Sequence, residues 1–171
     1  MSDAALRDLF ERRRRALLRR PAFARASAVA RAGLVEGGET CDVDQAGRVL
    51  RVELPVDDGG SGGGLHPAEL MRASLAAGLA LGYRLWAARL GVALADVSVD
   101  VVCECDARGE LGLADDVAAG WQRVILDVRL TSGAPETDVR RVFELANRLN
   151  PTLANLAPAV ERAWCVTIVH C

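Results

Sequence analysis

The sequence has no lysine: all 21 basic residues are arginine. Codon usage produces such a bias as readily as selection for phosphate binding does, so no function is read from it. It also has no apolar run long enough to span a bilayer. The longest uncharged stretch of its most apolar segment, residues 73–83, is far short of the ~18 residues a span requires. Near the start of the chain, Glu11 and the arginines 12 to 15 interrupt any signal-peptide pattern, so a soluble cytoplasmic protein without membrane contact is expected. Among the five cysteines there is no Cys-x-x-Cys spacing, and their odd number argues against a disulfide framework and for reduced thiols. No metal is expected from cysteines and histidines so scattered, and no other cofactor.

What is present is enough apolar sequence for one well-cored domain: 171 residues, 51% of them hydrophobic. The net charge of −2 is unevenly placed. Residues 1–31 carry nine arginines against Asp3, Asp8 and Glu11, about +6, which leaves about −8 on the rest. The chain therefore divides into a basic amino-terminal helix, residues 1–25, and a domain over 26–171. Ser2 is placed to cap that helix, which runs to about Arg20 with Leu6, Leu9, Phe10 and Leu17 on one stripe. Its arginines read as a solvated or subunit-packing face. No aromatic or base-reading element accompanies them, so nucleic acid is not an expected partner, although binding to an anionic polymer is a third, weaker reading.

From Ala26 to Pro55 the pattern is strand-like, with a turn at Gln45-Ala46-Gly47-Arg48. The loop Asp57-Asp-Gly-Gly-Ser-Gly-Gly-Gly64 lacks the Lys and Ser/Thr ending of a phosphate-binding loop and reads as a hinge or a site rim. Pro67 then opens a long helix that stops at Gly91. A strand over Val97 to Asp106 precedes one over Trp121 to Leu130, whose Val124, Leu126, Val128 and Leu130 share an apolar face. Pro135 to Leu149 is an amphipathic helix with Val139, Val142, Phe143, Ala146 and Leu149 inward. A helical turn from Pro151 to Leu156 and a strand from Trp164 to His170 complete an α+β order. The long helix is apolar nearly all round, which predicts burial on every side. Within it Ser74, Gly78 and Gly82 make a smooth ridge for close packing, the structural reason to accept roughly 1 kcal/mol per glycine.

The segment Gly62-Gly-Gly-Leu-His-Pro-Ala-Glu-Leu-Met-Arg-Ala-Ser-Leu-Ala-Ala-Gly-Leu-Ala-Leu-Gly-Tyr83 resembles the first motif of the OsmC/Ohr family, the osmotically inducible and organic hydroperoxide resistance proteins. Ala146-Asn-Arg-Leu-Asn-Pro-Thr-Leu-Ala-Asn-Leu156 resembles the family's second, in which a helix end is followed by Cys-Pro. The resemblance implies an OsmC-like fold: an intertwined homodimer whose long central buried helices are wrapped by antiparallel sheets, with sites at the subunit interface. It also implies a peroxidatic cysteine in the first motif and a resolving cysteine in the second, a chemistry that needs an accessible thiolate of lowered pKa.

In this sequence those two positions are Gly78 and Asn150. The position of the family's peroxide-site glutamate is Ala68, with Glu69 beside it as a shifted equivalent. Arg31, Arg48 and Arg51 are candidates for the activating arginine. The reading is a member of the family without cysteine-based hydroperoxide reductase activity. It keeps an interface cavity, with Glu69, Gly78 and Asn150 as candidate lining, that binds a small apolar ligand or holds the dimer. On this reading the cysteine-to-glycine change enlarges the cavity, and the asparagine amide is available to a ligand. The alternative is a thiol-dependent organic hydroperoxide reductase that uses displaced cysteines: Cys103, Cys105 or Cys165. Cys103 and Cys105 share a strand face, where small apolar packing is the usual state. Neither His66 nor His170 has a paired nucleophile to form a catalytic constellation.

Overall fold

The computed structural model describes residues 2–171. Ser2 Oγ accepts a hydrogen bond from the Ala5 amide at 3.3 Å, starting α1 (Asp3–Arg19). The chain gathers into two compact units: one is Arg14–Met71, the other Arg72–Cys171 together with the residues up to Arg13.

The Arg14–Met71 unit is built on an antiparallel sheet of β1 (Ala30–Leu34), β2 (Thr40–Gln45) and β3 (Arg48–Glu53). Ala46 and Gly47 both take positive φ, 55° and 78°, the left-handed pair that a two-residue hairpin requires. Asp44 Oδ1 accepts the Gly47 amide at 3.0 Å. At the end of β3 Glu53 is 6% exposed, and the glycine-rich loop closes on its carboxylate. Gly64 N–H donates to it at 2.7 Å, and Ser61 donates from its hydroxyl at 2.9 Å and from its amide at 3.4 Å. Gly60 turns so tightly against the Leu54 carbonyl that a Cβ there would lie 1.9 Å from that oxygen. The predicted hinge is therefore a fastened loop.

The Gly64 N–H and then the Ser61 donors hold the Glu53 carboxyl below the ordinary glutamate range. A carboxylate so depressed contributes stability above its unfolded pKa and loses it as pH falls through the lower folded value. Glu53→Gln is expected to speed limited proteolysis within residues 57–64 at neutral pH. The wild-type loop should reach the same susceptibility only below the ordinary value of 4.5; equal cleavage rates at pH 7 would contradict the fastening.

The second unit holds most of α2 (Pro67–Leu90), β4 (Asp96–Glu104), the short α3 (Ala107–Glu110), β5 (Arg123–Ser132), α4 (Glu136–Arg148), α5 (Pro151–Ala154) and β6 (Glu161–His170). Val124, Leu126, Val128 and Leu130 on β5 are fully buried. They meet Leu75, Leu79, Tyr83 and Ala87 of α2 and Val139, Val142 and Ala146 of α4 in one core. The Tyr83 hydroxyl donates to Asn147 Oδ1 at 2.7 Å, and burial pushes its pKa up. Tyr83 and Phe143 stack at 5.8 Å.

Three expectations are corrected here. The second sheet, ordered β4-β5-β6, is mixed: β4 is antiparallel to β5, whereas β6 runs parallel to it. The crossover through α4 and α5 is long enough to return the chain in the same direction. The central helix is buried on one side only, since Leu81 is 64% and Leu85 38% exposed. Leu149, expected inward, is 51% exposed because α4 ends at Arg148 and the chain leaves the helix there.

Candidate functional site

Asn150 is the residue that joins the two sequence motifs. It is 3% exposed and stands at the start of α5, where its Oδ1 accepts the Leu153 amide at 2.9 Å as a helix cap. That bond fixes the amide's orientation and turns Nδ2 toward α2, where it donates to the Gly78 carbonyl at 2.9 Å. Pro151 follows at the first helical position, where its missing N–H is not needed. Gly78 and Asn150, far apart in sequence, are thus in direct contact.

The glycines make this approach possible. A Cβ on Gly78 would lie 2.6 Å from Thr152 Oγ1 and 3.1 Å from Thr152 Cβ, and one on Gly82 would lie 3.1 Å from Asn150 Nδ2. Two expectations fail here. The missing side chain at Gly78 does not enlarge a cavity, because Thr152 fills its place, and the Asn150 amide is engaged by the backbone rather than offered to a ligand. Nothing in the sequence singled out Thr152; its signal was its position two residues after Asn150 on the same turn.

Beside this contact lies a groove of about 290 Å3 lined by Gly78, Leu81, Gly82, Leu85, Trp86 and Arg89 of α2 and by Ala146, Leu149, Asn150, Pro151 and Thr152. Its walls are almost wholly apolar, and Arg89 is its charged lining residue. Arg89 is half-buried, with its guanidinium carbon 4.0 Å from the Phe10 ring centroid and 4.7 Å from that of Trp86. Burial and then the Arg13 charge pull its pKa down. Sequence reading missed Arg89, because an arginine in a last helical turn ordinarily serves the helix dipole.

The other predicted residues lie elsewhere. Glu69 is in the first turn of α2, where its carboxylate accepts the His66 amide at 2.9 Å; it does not line the groove. Ala68 lies two residues after His66, whose Nδ1 accepts the Ala68 amide at 3.3 Å. Arg51 pairs bidentately with Asp42 at 2.9 and 3.2 Å on the exposed face of β3, while Arg31 and Arg48 are exposed. Cys103 shares its strand face with Val99 and Val101 and packs against the core. Burial pushes its thiol pKa up, opposed in part by Arg72. Cys105 lies just past the end of β4 and, like Cys165 and Cys171, is exposed. Cys41 and the four others are unbridged. No three metal-ligating side chains gather among the described residues, and no helix among them is long and apolar enough to cross a membrane.

The fold is shared with solved proteins. An OsmC-like protein from Mycoplasma pneumoniae matches with a TM-score of 0.71 and 16% identity, over 85% of this chain and 99% of that one. An organic hydroperoxide resistance protein OsmC from Legionella pneumophila matches with a TM-score of 0.63 and 21% identity, over 83% and 97%. An organic hydroperoxide resistance protein from Elizabethkingia anophelis gives 0.63 and 16%, over 84% and 96%. No curated protein matches in sequence. The family model described as OsmC-like protein matches residues 59–163, a span that holds both motifs, the groove and most of the elements of the second unit. The chain belongs to the OsmC-like family and has the α+β fold of the OsmC and organic hydroperoxide resistance proteins.

Proposed function

We propose that this chain is an OsmC-like protein without cysteine-based hydroperoxide reductase activity, and that it acts as a homodimer whose interface groove binds a small apolar ligand. The observation that carries the reading is the contact just described. The two positions that match the family's motif cysteines carry a glycine and an asparagine bonded to each other, with Thr152 Oγ1 where a side chain at 78 would begin. A peroxidatic site needs a sulfur that attacks the O–O bond and a second sulfur in reach to resolve the sulfenic acid. Neither position supplies one. The displaced-cysteine alternative rests on Cys103, Cys105 and Cys165. Cys103 is the member packed on the core, and burial works against the thiolate that the chemistry requires.

Dimerisation is supported by the bare side of α2. A helix apolar on all sides belongs in an interior, and this one leaves Leu81 and Leu85 exposed beside the open groove. A second copy laid against that side would bury them and close the groove into a cavity. The test is the mass in solution together with uptake of a neutral apolar compound. The wild type is expected to sediment as a dimer and to bind octan-1-ol. Leu81→Asp should shift it toward monomer, and Leu149→Glu should lower octan-1-ol affinity at least about tenfold by placing charge on an apolar wall. A wild-type monomer at micromolar concentration would contradict the dimer, and absence of octan-1-ol binding would contradict the ligand cavity.

A further inference from the structure

The groove carries a cation for which the described residues supply no paired counter-charge. No carboxylate among the described residues pairs with Arg89, and its buried Nε has no hydrogen-bond partner. On α1, Asp3 is paired with Arg84, and Arg7 Nε donates to the Ala88 carbonyl at 3.0 Å. Arg13, of like sign, also acts on it. An unpaired charge withdrawn from water is unfavourable unless something of opposite sign completes it.

Its setting selects the kind of anion. Phe10 and Trp86, with ring centroids 4.0 and 4.7 Å from the guanidinium carbon and 6.3 Å from each other, stand at about a right angle around it, so the rings hold the cation in place and offer its N–H groups no acceptor oxygen. A guanidinium edge matches a planar carboxylate two bonds at a time. Along α2 the groove runs from Gly78 to Arg89, roughly 16 Å at 1.5 Å per residue, between leucine walls. Its volume of about 290 Å3 lies at the small end of ligand sites, roughly 300–1,000 Å3.

We propose that the groove binds a small amphipathic carboxylate, its head on Arg89 and its apolar body along Leu81, Leu85 and Leu149. This rests on the ligand-cavity reading and adds the ligand's charge. Arg89 is then the residue that sets specificity, and α1 has a purpose: Phe10, from outside the span matched by the family model, holds the guanidinium in place.

The experiment compares octanoate with octan-1-ol by calorimetric titration of the full chain at low salt. Octanoate is expected to bind at least about tenfold tighter, and the preference should shrink as salt is raised while octan-1-ol is unaffected. Arg89→Met, which keeps an apolar side chain against Phe10 and Trp86, should abolish the preference, so that octanoate binds no tighter than octan-1-ol does to the same variant. Arg89→Lys, which keeps the charge and loses the two-bond edge, should keep part of the preference and guards against a folding defect in the methionine variant. Equal affinity of the two compounds for the wild type, or a preference insensitive to both salt and Arg89→Met, would overturn the carboxylate and leave the groove as an apolar site. Failure of both compounds to bind would remove the ligand cavity itself, and the carboxylate with it.

Discussion

Gly78→Cys is expected to destabilise the protein by about 2 kcal/mol and to lower Tm by roughly 4–8 °C, the overpacking cost less a part returned by better helix propensity. The cause is the 2.6 Å between a Cβ at 78 and Thr152 Oγ1, too close for any rotamer of the new side chain to relieve. If that contact is responsible, Thr152→Ala should rescue the variant. Removing Oγ1 and Cγ2 leaves only the 3.1 Å approach to Thr152 Cβ, which a small shift of α5 accommodates. The double-mutant cycle should therefore show a coupling of at least about 1 kcal/mol. Gly78→Cys as stable as the wild type, or no coupling to Thr152, would mean that the helix and α5 are not so closely packed.

Asn150→Asp is expected to cost about 1–3 kcal/mol at neutral pH although it preserves shape and keeps the cap on Leu153. The donor facing the Gly78 carbonyl becomes an acceptor, so two oxygens meet at the present 2.9 Å separation in a buried place. Protonation restores a donor, so the aspartate's folded pKa lies above its unfolded value near 3.9. A raised folded pKa makes the proton's stabilisation fully present below the unfolded value and lost as pH rises through the folded one. The deficit against wild type should therefore shrink as pH is lowered toward about 4 and be largest at neutral pH. A pH-independent difference in Tm would contradict the Gly78 contact. Asn150→Ala loses both the cap and the bridge and should be low in stability at every pH, by about 2–3 kcal/mol.

Much of this architecture is legible in the residues because it is local. The alternation of Val124, Leu126, Val128 and Leu130 is a strand with one buried face, Pro67 and Gly91 bracket the long helix, and Ala46-Gly47 marks the hairpin. What is not legible depends on partners distant in sequence. A strand such as β6 shows the same pattern whether it pairs parallel or antiparallel, so the mixed sheet emerges only from the register with β5. An apolar helix looks alike in sequence whether or not every side of it is covered. That is why Leu81 and Leu85 read as core and stand exposed in the single chain. Asn150 could be placed by its motif, but its two bonds and the filling role of Thr152 need the geometry of α2 against α5. Arg89 and Glu53 are charged residues of the ordinary kind in sequence. One is made unusual by two rings, the other by a loop folded over it.

The central claim is that the place where Gly78 meets Asn150 carries no thiol chemistry and that no displaced cysteine replaces it. The most direct measurement is a single turnover: fully reduced protein is mixed with cumene hydroperoxide, peroxide loss is followed, and free thiols are counted before and after. Reduction of one peroxide to alcohol and water consumes two thiols as they become a disulfide. The account predicts no peroxide loss beyond that of a free-thiol control and an unchanged thiol count. Rapid loss of about one peroxide and two thiols per chain would contradict it and assign the activity to cysteines outside the two motifs.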